Sequence, residues 1–167
     1  MNKITVHMTK EALYDFLLFH AYSKFSGFLI NILGLAVAFS GIWLYVAGQT
    51  GAAGTALYLT ASAVFLGSMP LQLYLRANKQ VEIHPEYNAP AVYVFSEEAG
   101  IRVIQGSRER DYRWEDIRRA VVTPKTIGIY YEAERALIIP KQDFGEQFAE
   151  IFRMIARHLG GNNMRMR

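Results

Sequence analysis

A long stretch without any charged residue, from position 25 to 75, constrains this chain more than any other feature. All Asp, Glu, Lys and Arg of the 167 residues lie before or after it, a separation that an aqueous domain does not show. Roughly 20 apolar residues cross a hydrocarbon core about 30 Å thick, so the stretch is long enough for two crossings. It predicts membrane spans at 25–46 and 55–75, joined by a Gly-rich linker at 47–54. A buried helical hairpin of a soluble protein is the alternative.

The distribution of basic residues predicts how these spans are oriented. Lys and Arg near the ends of a span resist translocation, and the linker has neither. Both termini of this multi-pass protein are therefore predicted to lie on the cytoplasmic side of the cell's inner membrane. The basic residues that flank the spans are Lys3, Lys10, Lys24, Arg76 and Lys79. The candidate contacts with anionic lipid headgroups are Arg76, Lys79, Arg165 and Arg167.

Small residues recur along both predicted spans at three-, four- and seven-residue spacing. In lipid, small side chains let helix backbones approach closely. The pattern therefore predicts a tightly packed antiparallel helix pair, with homodimerisation through one of the seams as the alternative. The predicted packing seam consists of Gly27, Gly34, Ala38, Gly41, Ala56, Thr60, Ala63 and Gly67.

After position 79 the sequence changes to short alternating runs of β-branched and aromatic residues, which are typical of strands. The predicted strands are 81–84, 91–96, 101–105, 110–114, 119–123, 126–131 and 136–139. Apolar residues at helical spacing between Phe148 and Leu159 predict a final amphipathic helix that Gly160-Gly161 ends. The order predicts an α+β fold, a bent antiparallel sheet or small barrel closed by the C-terminal helix.

The first residues also carry a strand pattern, since apolar and polar side chains alternate over 3–9. Thr9 is placed to cap a helix that runs from Lys10 into the first span. The strand is predicted to pair with the sheet of the C-terminal domain. The expected organisation is a strand and amphipathic lead-in helix at 1–24, a transmembrane hairpin at 25–75 and a cytoplasmic domain at 76–167, completed by the strand at 3–9.

Three short motifs accompany this layout: Trp114-Glu115-Asp116-Ile117, Ile139-Pro140-Lys141 and Phe144. Together they resemble the YcxB-like family of bacterial membrane proteins. The C-terminal region of that family is similar to bacterial pleckstrin-homology-like domains, so the resemblance implies such a domain at 76–167. It implies no catalytic or ligand-binding residue.

The sequence contains no pattern typical of a catalytic or cofactor site. The chain has no Cys, which excludes thiol catalysis, disulfides and cysteine-based zinc sites. Gly-rich phosphate loops and the Gly-x-Ser-x-Gly elbow are also missing. We therefore expect a non-enzymatic protein without a metal or cofactor. The nearly balanced charge after position 76 argues against nucleic acid as a partner.

Charge is densest between positions 108 and 113, where basic and acidic residues are interleaved. Alternation along a strand would place Arg108 and Arg110 on one face, and with Arg113 they form a candidate surface for an anion or a partner. An exposed strand kept soluble by mixed charge is the alternative. The expected function is a membrane-anchored module that binds a protein or peptide, or another copy of itself, at the inner leaflet. The alternatives are an accessory subunit of a larger membrane enzyme or transporter, or an immunity- or stress-type membrane protein.

Overall fold

The computed structural model describes residues 1–83, 87, 89–160 and 163–166. The helices are α1 (Lys10–Tyr22), α2 (Phe25–Val46), α3 (Ala52–Ile83) and α4 (Phe148–Leu159). The strands are β1 (Asn2–Val6), β2 (Ala91–Ser96), β3 (Gly100–Gln105), β4 (Arg108–Tyr112), β5 (Arg119–Val122), β6 (Thr126–Tyr130), β7 (Ala136–Pro140) and β8 (Met164–Met166). The chain forms two compact units, the first made of Met1–Phe16 and Ala77–Arg167, the second of Leu17–Arg76.

Two four-stranded sheets build the first unit, in the orders β1-β2-β3-β4 and β7-β6-β5-β8. Neighbouring strands are antiparallel except β5 and β8, which are parallel. The strand β1 pairs with β2 although three helices separate the two in the sequence. The predicted α+β class is therefore confirmed, whereas the small closed barrel is replaced by two separate sheets.

One apolar core fills the first unit, because side chains that alternate along the strands meet the apolar face of α4. Phe95 and Ile139 from the two sheets are fully buried there, together with Ile151 and Ile155 of α4. The helix ends as predicted at Gly160, whose φ of 69° suits glycine. Gly161 lies outside the described residues.

Two of the predicted strands differ from the structure. Val81 and Ile83 belong to α3, since extending an existing helix is easier than starting a strand with so few residues, and His84 lies outside the described residues. The predicted strand 110–114 lies earlier, at β4, and Trp114 begins a 3-10 turn instead. The Trp114 indole N–H donates to the Ser96 carbonyl at 2.9 Å. The strand β8 had no alternating pattern long enough to predict it.

The lead-in helix α1 begins as its capping residue predicts, because the Thr9 hydroxyl accepts a hydrogen bond from the Ala12 amide at 3.2 Å. It does not continue into the next helix. It ends at Tyr22, and Lys24 is extended, with φ −86° and ψ 143°, before α2 begins. The preceding strand is also shorter than expected, since β1 ends at Val6.

The second unit contains two helices that are long and apolar enough to cross a membrane. The bounds of α2 coincide with the predicted span 25–46, whereas α3 extends beyond the predicted span 55–75 at both ends. Most large apolar side chains of these helices are exposed, in contrast to those of the core of the first unit.

Glycines of α2 and larger residues of α3 form the contact between these two helices. Gly34 and Gly41 are buried, and a Cβ added at either position would meet Leu66 or Tyr58. The Ser62 hydroxyl donates to the Gly34 carbonyl at 2.7 Å. Larger α3 side chains fill the space beside these glycines within the chain, so the α3 half of the predicted seam does not take part in this contact. The alternative, packing of that seam against another copy of the chain, stays a prediction. The α3 residues that are exposed instead are Ala56, Thr60, Ala63 and Gly67.

Candidate functional site

Two adjoining cavities, of about 160 and 150 Å³, open between the sheets of the first unit. They share Tyr93, Val103, Gln105 and Leu137 as lining residues, which come from β2, β3 and β7. We call the combined space the arginine groove. The second cavity is completed by Arg108, Arg110 and Tyr112 of β4.

Opposite charges on β4 are sorted to opposite faces of the sheet. In the antiparallel register Val103 faces Arg110 and Arg102 faces Asp111, so the two sets alternate. On the outer face, Arg102 Nε lies 2.7 Å from Asp111 Oδ1 and 3.0 Å from Glu109 Oε1. The acidic residues of β4 thus pair with Arg102 of β3, while the two arginines of β4 line the groove.

Tyrosine hydroxyls supply further hydrogen-bonding groups at the same place. The Tyr112 and Tyr131 rings lie 4.7 Å apart between centroids. Burial raises the pKa of the Tyr93 phenol, and three neighbouring tyrosines raise it further. Burial also raises the pKa of Tyr131, with a contribution from Tyr112. These two phenols therefore remain protonated at neutral pH, where they donate as well as accept hydrogen bonds.

The raised pKa of Tyr93 predicts how stability responds to alkaline pH. An unfolded phenol ionises near pH 10, earlier than the buried one, so stability falls as pH rises above that value. For each such phenol, the free energy of unfolding falls by up to about 1.4 kcal/mol more per pH unit. The variant Tyr93→Phe is expected to lose stability less steeply than the parent chain above about pH 10, and equally below about pH 9. Urea unfolding in detergent micelles, read from Trp114 fluorescence in a Trp43→Phe background, checks this, and equal slopes above pH 10 would contradict it.

The structure separates the three arginines proposed as an anion or partner surface. Arg108 and Arg110 line the groove, whereas Arg113 Nη2 pairs with Glu115 Oε2 at 2.7 Å. Arg113 therefore does not join the other two, because it follows the last residue of β4 and precedes the 3-10 turn.

The candidate lipid contacts lie at two places in the chain. Arg76 and Lys79 are exposed side chains near the end of α3. The backbone of Arg165 belongs to β8, while its side chain and Arg167 lie outside what the structure describes.

Tyr93, Tyr112 and Tyr131 were not singled out by sequence reasoning. Tyr93 and Tyr112 lie on the groove face of their strands, and Tyr112 shares that face of β4 with Arg108 and Arg110. Only the two-sheet arrangement shows that these tyrosines lie beside the arginines. Within the described residues, no three His, Asp or Glu side chains come close enough together to hold a metal ion.

Comparison with known proteins adds one finding. Residues 97–155 match the model of the YcxB-like protein family, which confirms the resemblance over that segment. The matched segment contains β3 to β7 and the first part of α4, and therefore the arginines and most strands of the groove. Neither the curated proteins nor the solved structures contain a match to this chain.

Proposed function

We propose that this YcxB-like chain is a non-enzymatic, membrane-anchored module whose cytoplasmic domain binds an acidic segment of a protein partner in the arginine groove. The main support for this proposal is that the basic and acidic side chains of β4 lie on opposite faces of the sheet. Glu109 and Asp111 pair with Arg102 on the outer face, while Arg108 and Arg110 line the groove on the other face. Guanidinium groups beside protonated phenols suit carboxylates, to which they form charge-assisted hydrogen bonds.

The order of elements supports a pleckstrin-homology-like fold for this domain. Four antiparallel strands form one sheet, three further antiparallel strands form most of the second, and α4 packs on the shared core. In this proposal the helical hairpin is an insertion between β1 and β2, and β1 completes the domain from the other side of the insertion.

Two observations support the membrane anchor. The helices α2 and α3 are long and apolar enough to span a bilayer, and their large apolar side chains are exposed. The lysines before α2 and the basic residues near the end of α3 favour cytoplasmic termini. Arg76 and Lys79 would then contact anionic headgroups, each contributing about 1 kcal/mol when close to the surface. Anchoring raises the concentration of the groove near other membrane proteins.

The proposal predicts that binding of an acidic peptide depends on the two groove arginines. The probe is a fluorescein-labelled short peptide that alternates glutamate and threonine, and the full chain in detergent micelles is titrated against it. The double variant Arg108→Ala/Arg110→Ala is expected to bind about tenfold more weakly or worse, because charged hydrogen bonds contribute about 1.5–3 kcal/mol each. Fluorescence anisotropy measures the dissociation constant.

A matched control variant tests whether a change in overall charge is enough to weaken binding. The variant Arg118→Ala/Arg153→Ala removes the same charge from two exposed positions that do not line the groove. It is expected to bind like the parent chain, and a peptide with glutamine in place of glutamate is expected not to bind. Equal weakening by both double variants, or no binding of the acidic peptide by the parent chain, would refute the proposed function.

A further inference from the structure

The groove lies beside an open sheet edge. The strand β4 is the last strand of its sheet and pairs with β3 alone among the described strands. The second cavity reaches from β4 to Leu137 of β7, which is likewise the last strand of the other sheet. An open edge presents backbone N–H and C=O groups that another extended segment can use.

The hairpin geometry shows which backbone groups face outward. A two-residue turn, Gly106-Ser107, joins β3 to β4, and Gly106 has φ 58° while Ser107 has no positive φ. In such a hairpin the flanking residues Gln105 and Arg108 exchange backbone hydrogen bonds, and bonded pairs then alternate along the ladder. The N–H and C=O groups of Glu109 and Asp111 consequently point away from β3. Outside the sheet, no backbone hydrogen bond within the described part of the chain uses them.

We propose that the acidic segment binds by adding an extended strand to the β4 edge, with an acidic residue at every second position. This inference rests on the proposed function and specifies its ligand. Side chains of an added strand alternate between faces, so every second one lies beside Arg108 and Arg110 in the groove. The intervening ones lie beside Glu109 and Asp111, where a like charge is unfavourable.

The spacing requirement follows from both faces of β4. The groove face attracts carboxylates through its arginines, while the outer face carries two carboxylates and one guanidinium. A segment acidic at every position would be repelled on the outer face. Charged residues on an edge strand also prevent unwanted pairing. Preventing unwanted strand pairing requires only charged side chains. It does not explain why the basic and acidic side chains of β4 lie on opposite faces of the sheet.

The first test compares two substitutions at one residue of the edge. Glu109→Pro removes the backbone N–H that points outward and leaves the hydrogen bonds between β4 and β3 intact. Edge strands tolerate proline at such a position. Glu109→Thr removes the same charge and keeps the N–H. With the alternating glutamate and threonine peptide and the full chain in micelles, we expect Glu109→Thr to bind at least as tightly as the parent chain. We expect about tenfold weaker binding for Glu109→Pro, and equal affinities of the two variants would overturn strand addition.

The second test changes the peptide and needs no variant of the chain. One peptide is N-methylated on its threonines and another on its glutamates. Because only alternate amides of an added strand face β4, one of the two peptides should lose about tenfold or more in affinity and the other should not. Loss with methylated threonines indicates an antiparallel strand and loss with methylated glutamates a parallel one. Equal affinities, or equal losses, would overturn strand addition.

A third peptide has the same composition but places its glutamates in adjacent pairs. We expect it to bind more weakly, since half of its carboxylates face Glu109 and Asp111. If the acidic peptides bind through Arg108 and Arg110 but neither spacing nor N-methylation changes the affinity, the proposed function holds and strand addition fails. If binding does not depend on these arginines, the proposed function itself fails.

Discussion

Replacing Phe16 by Ala is expected to destabilise the first unit by about 3–5 kcal/mol, a large part of the 5–15 kcal/mol typical of a whole domain. Phe16 is 6% exposed, and its ring lies 5.9 Å from the Tyr130 ring between centroids. Its removal leaves a cavity between α1 and β6. Urea unfolding of the full chain in micelles, read from Trp114 in the Trp43→Phe background, measures the loss. Glu11→Ala, an exposed change on the same helix, should stay within about 0.5 kcal/mol of the parent chain.

The contact partner of Phe16 allows a double-mutant test. A Cβ added at Gly128 would overlap the Phe16 ring, so Gly128→Ala alone is expected to destabilise by about 1–3 kcal/mol. In the Phe16→Ala background that overlap disappears, and the same change becomes neutral or stabilising because Ala restricts the unfolded chain more than Gly. An equal loss in both backgrounds would show that α1 does not pack on β6 at this point.

Polar contacts hold the same helix to the first unit and explain why this attachment is specific. One carboxylate oxygen of Asp15 accepts hydrogen bonds from the Thr123 hydroxyl at 2.5 Å and from the Lys125 amide at 3.1 Å. Thr123 and Thr126 are fully buried, so their hydroxyl groups need such partners. The middle of α1 is therefore bound both to the turn between β5 and β6 and to the strand β6 that follows.

Local patterns in the sequence were sufficient for most of the fold. The alternation over 91–96 and 101–105 predicts β2 and β3 in nearly their observed bounds, whereas β4 begins two residues before the predicted strand. The spacing from Phe148 to Leu159 predicts α4, because the buried residues of a helix recur every three or four positions. These elements depend on interactions between residues close in the sequence.

Features that depend on distant residues could not be predicted in the same way. At the groove, Arg102 pairs with two acids of the neighbouring strand, which no count of charges between 108 and 113 reveals. The helix contact in the second unit uses Ser62 and the backbone of Gly34, whereas small residues recur on several faces of α3. The strand β8 pairs in parallel with β5, and its three residues carry no pattern of their own.

A single cysteine introduced by Gln49→Cys is expected to react with a membrane-impermeant maleimide on intact spheroplasts, whereas one introduced by Ser107→Cys is expected to react only after lysis. The proposed orientation places the turn between α2 and α3 outside the cell and the groove inside. Both positions are exposed, so accessibility within the fold does not limit the reaction. The expected difference between the two positions before lysis is all or none, read as labelled protein on a gel.

The chain provides its own control for this experiment, since it contains no Cys and the parent protein should not be labelled under either condition. Labelling of Ser107→Cys on intact spheroplasts would reverse the orientation and place the groove where no cytoplasmic partner can reach it. Labelling of Gln49→Cys only after lysis would show that the turn does not reach the outer surface, and the two-span anchor would then be wrong. The expected result places residues 49 and 107 in different compartments, which requires an odd number of membrane crossings between them. Among the described residues of that segment, α3 is the helix that is long and apolar enough to cross the membrane once.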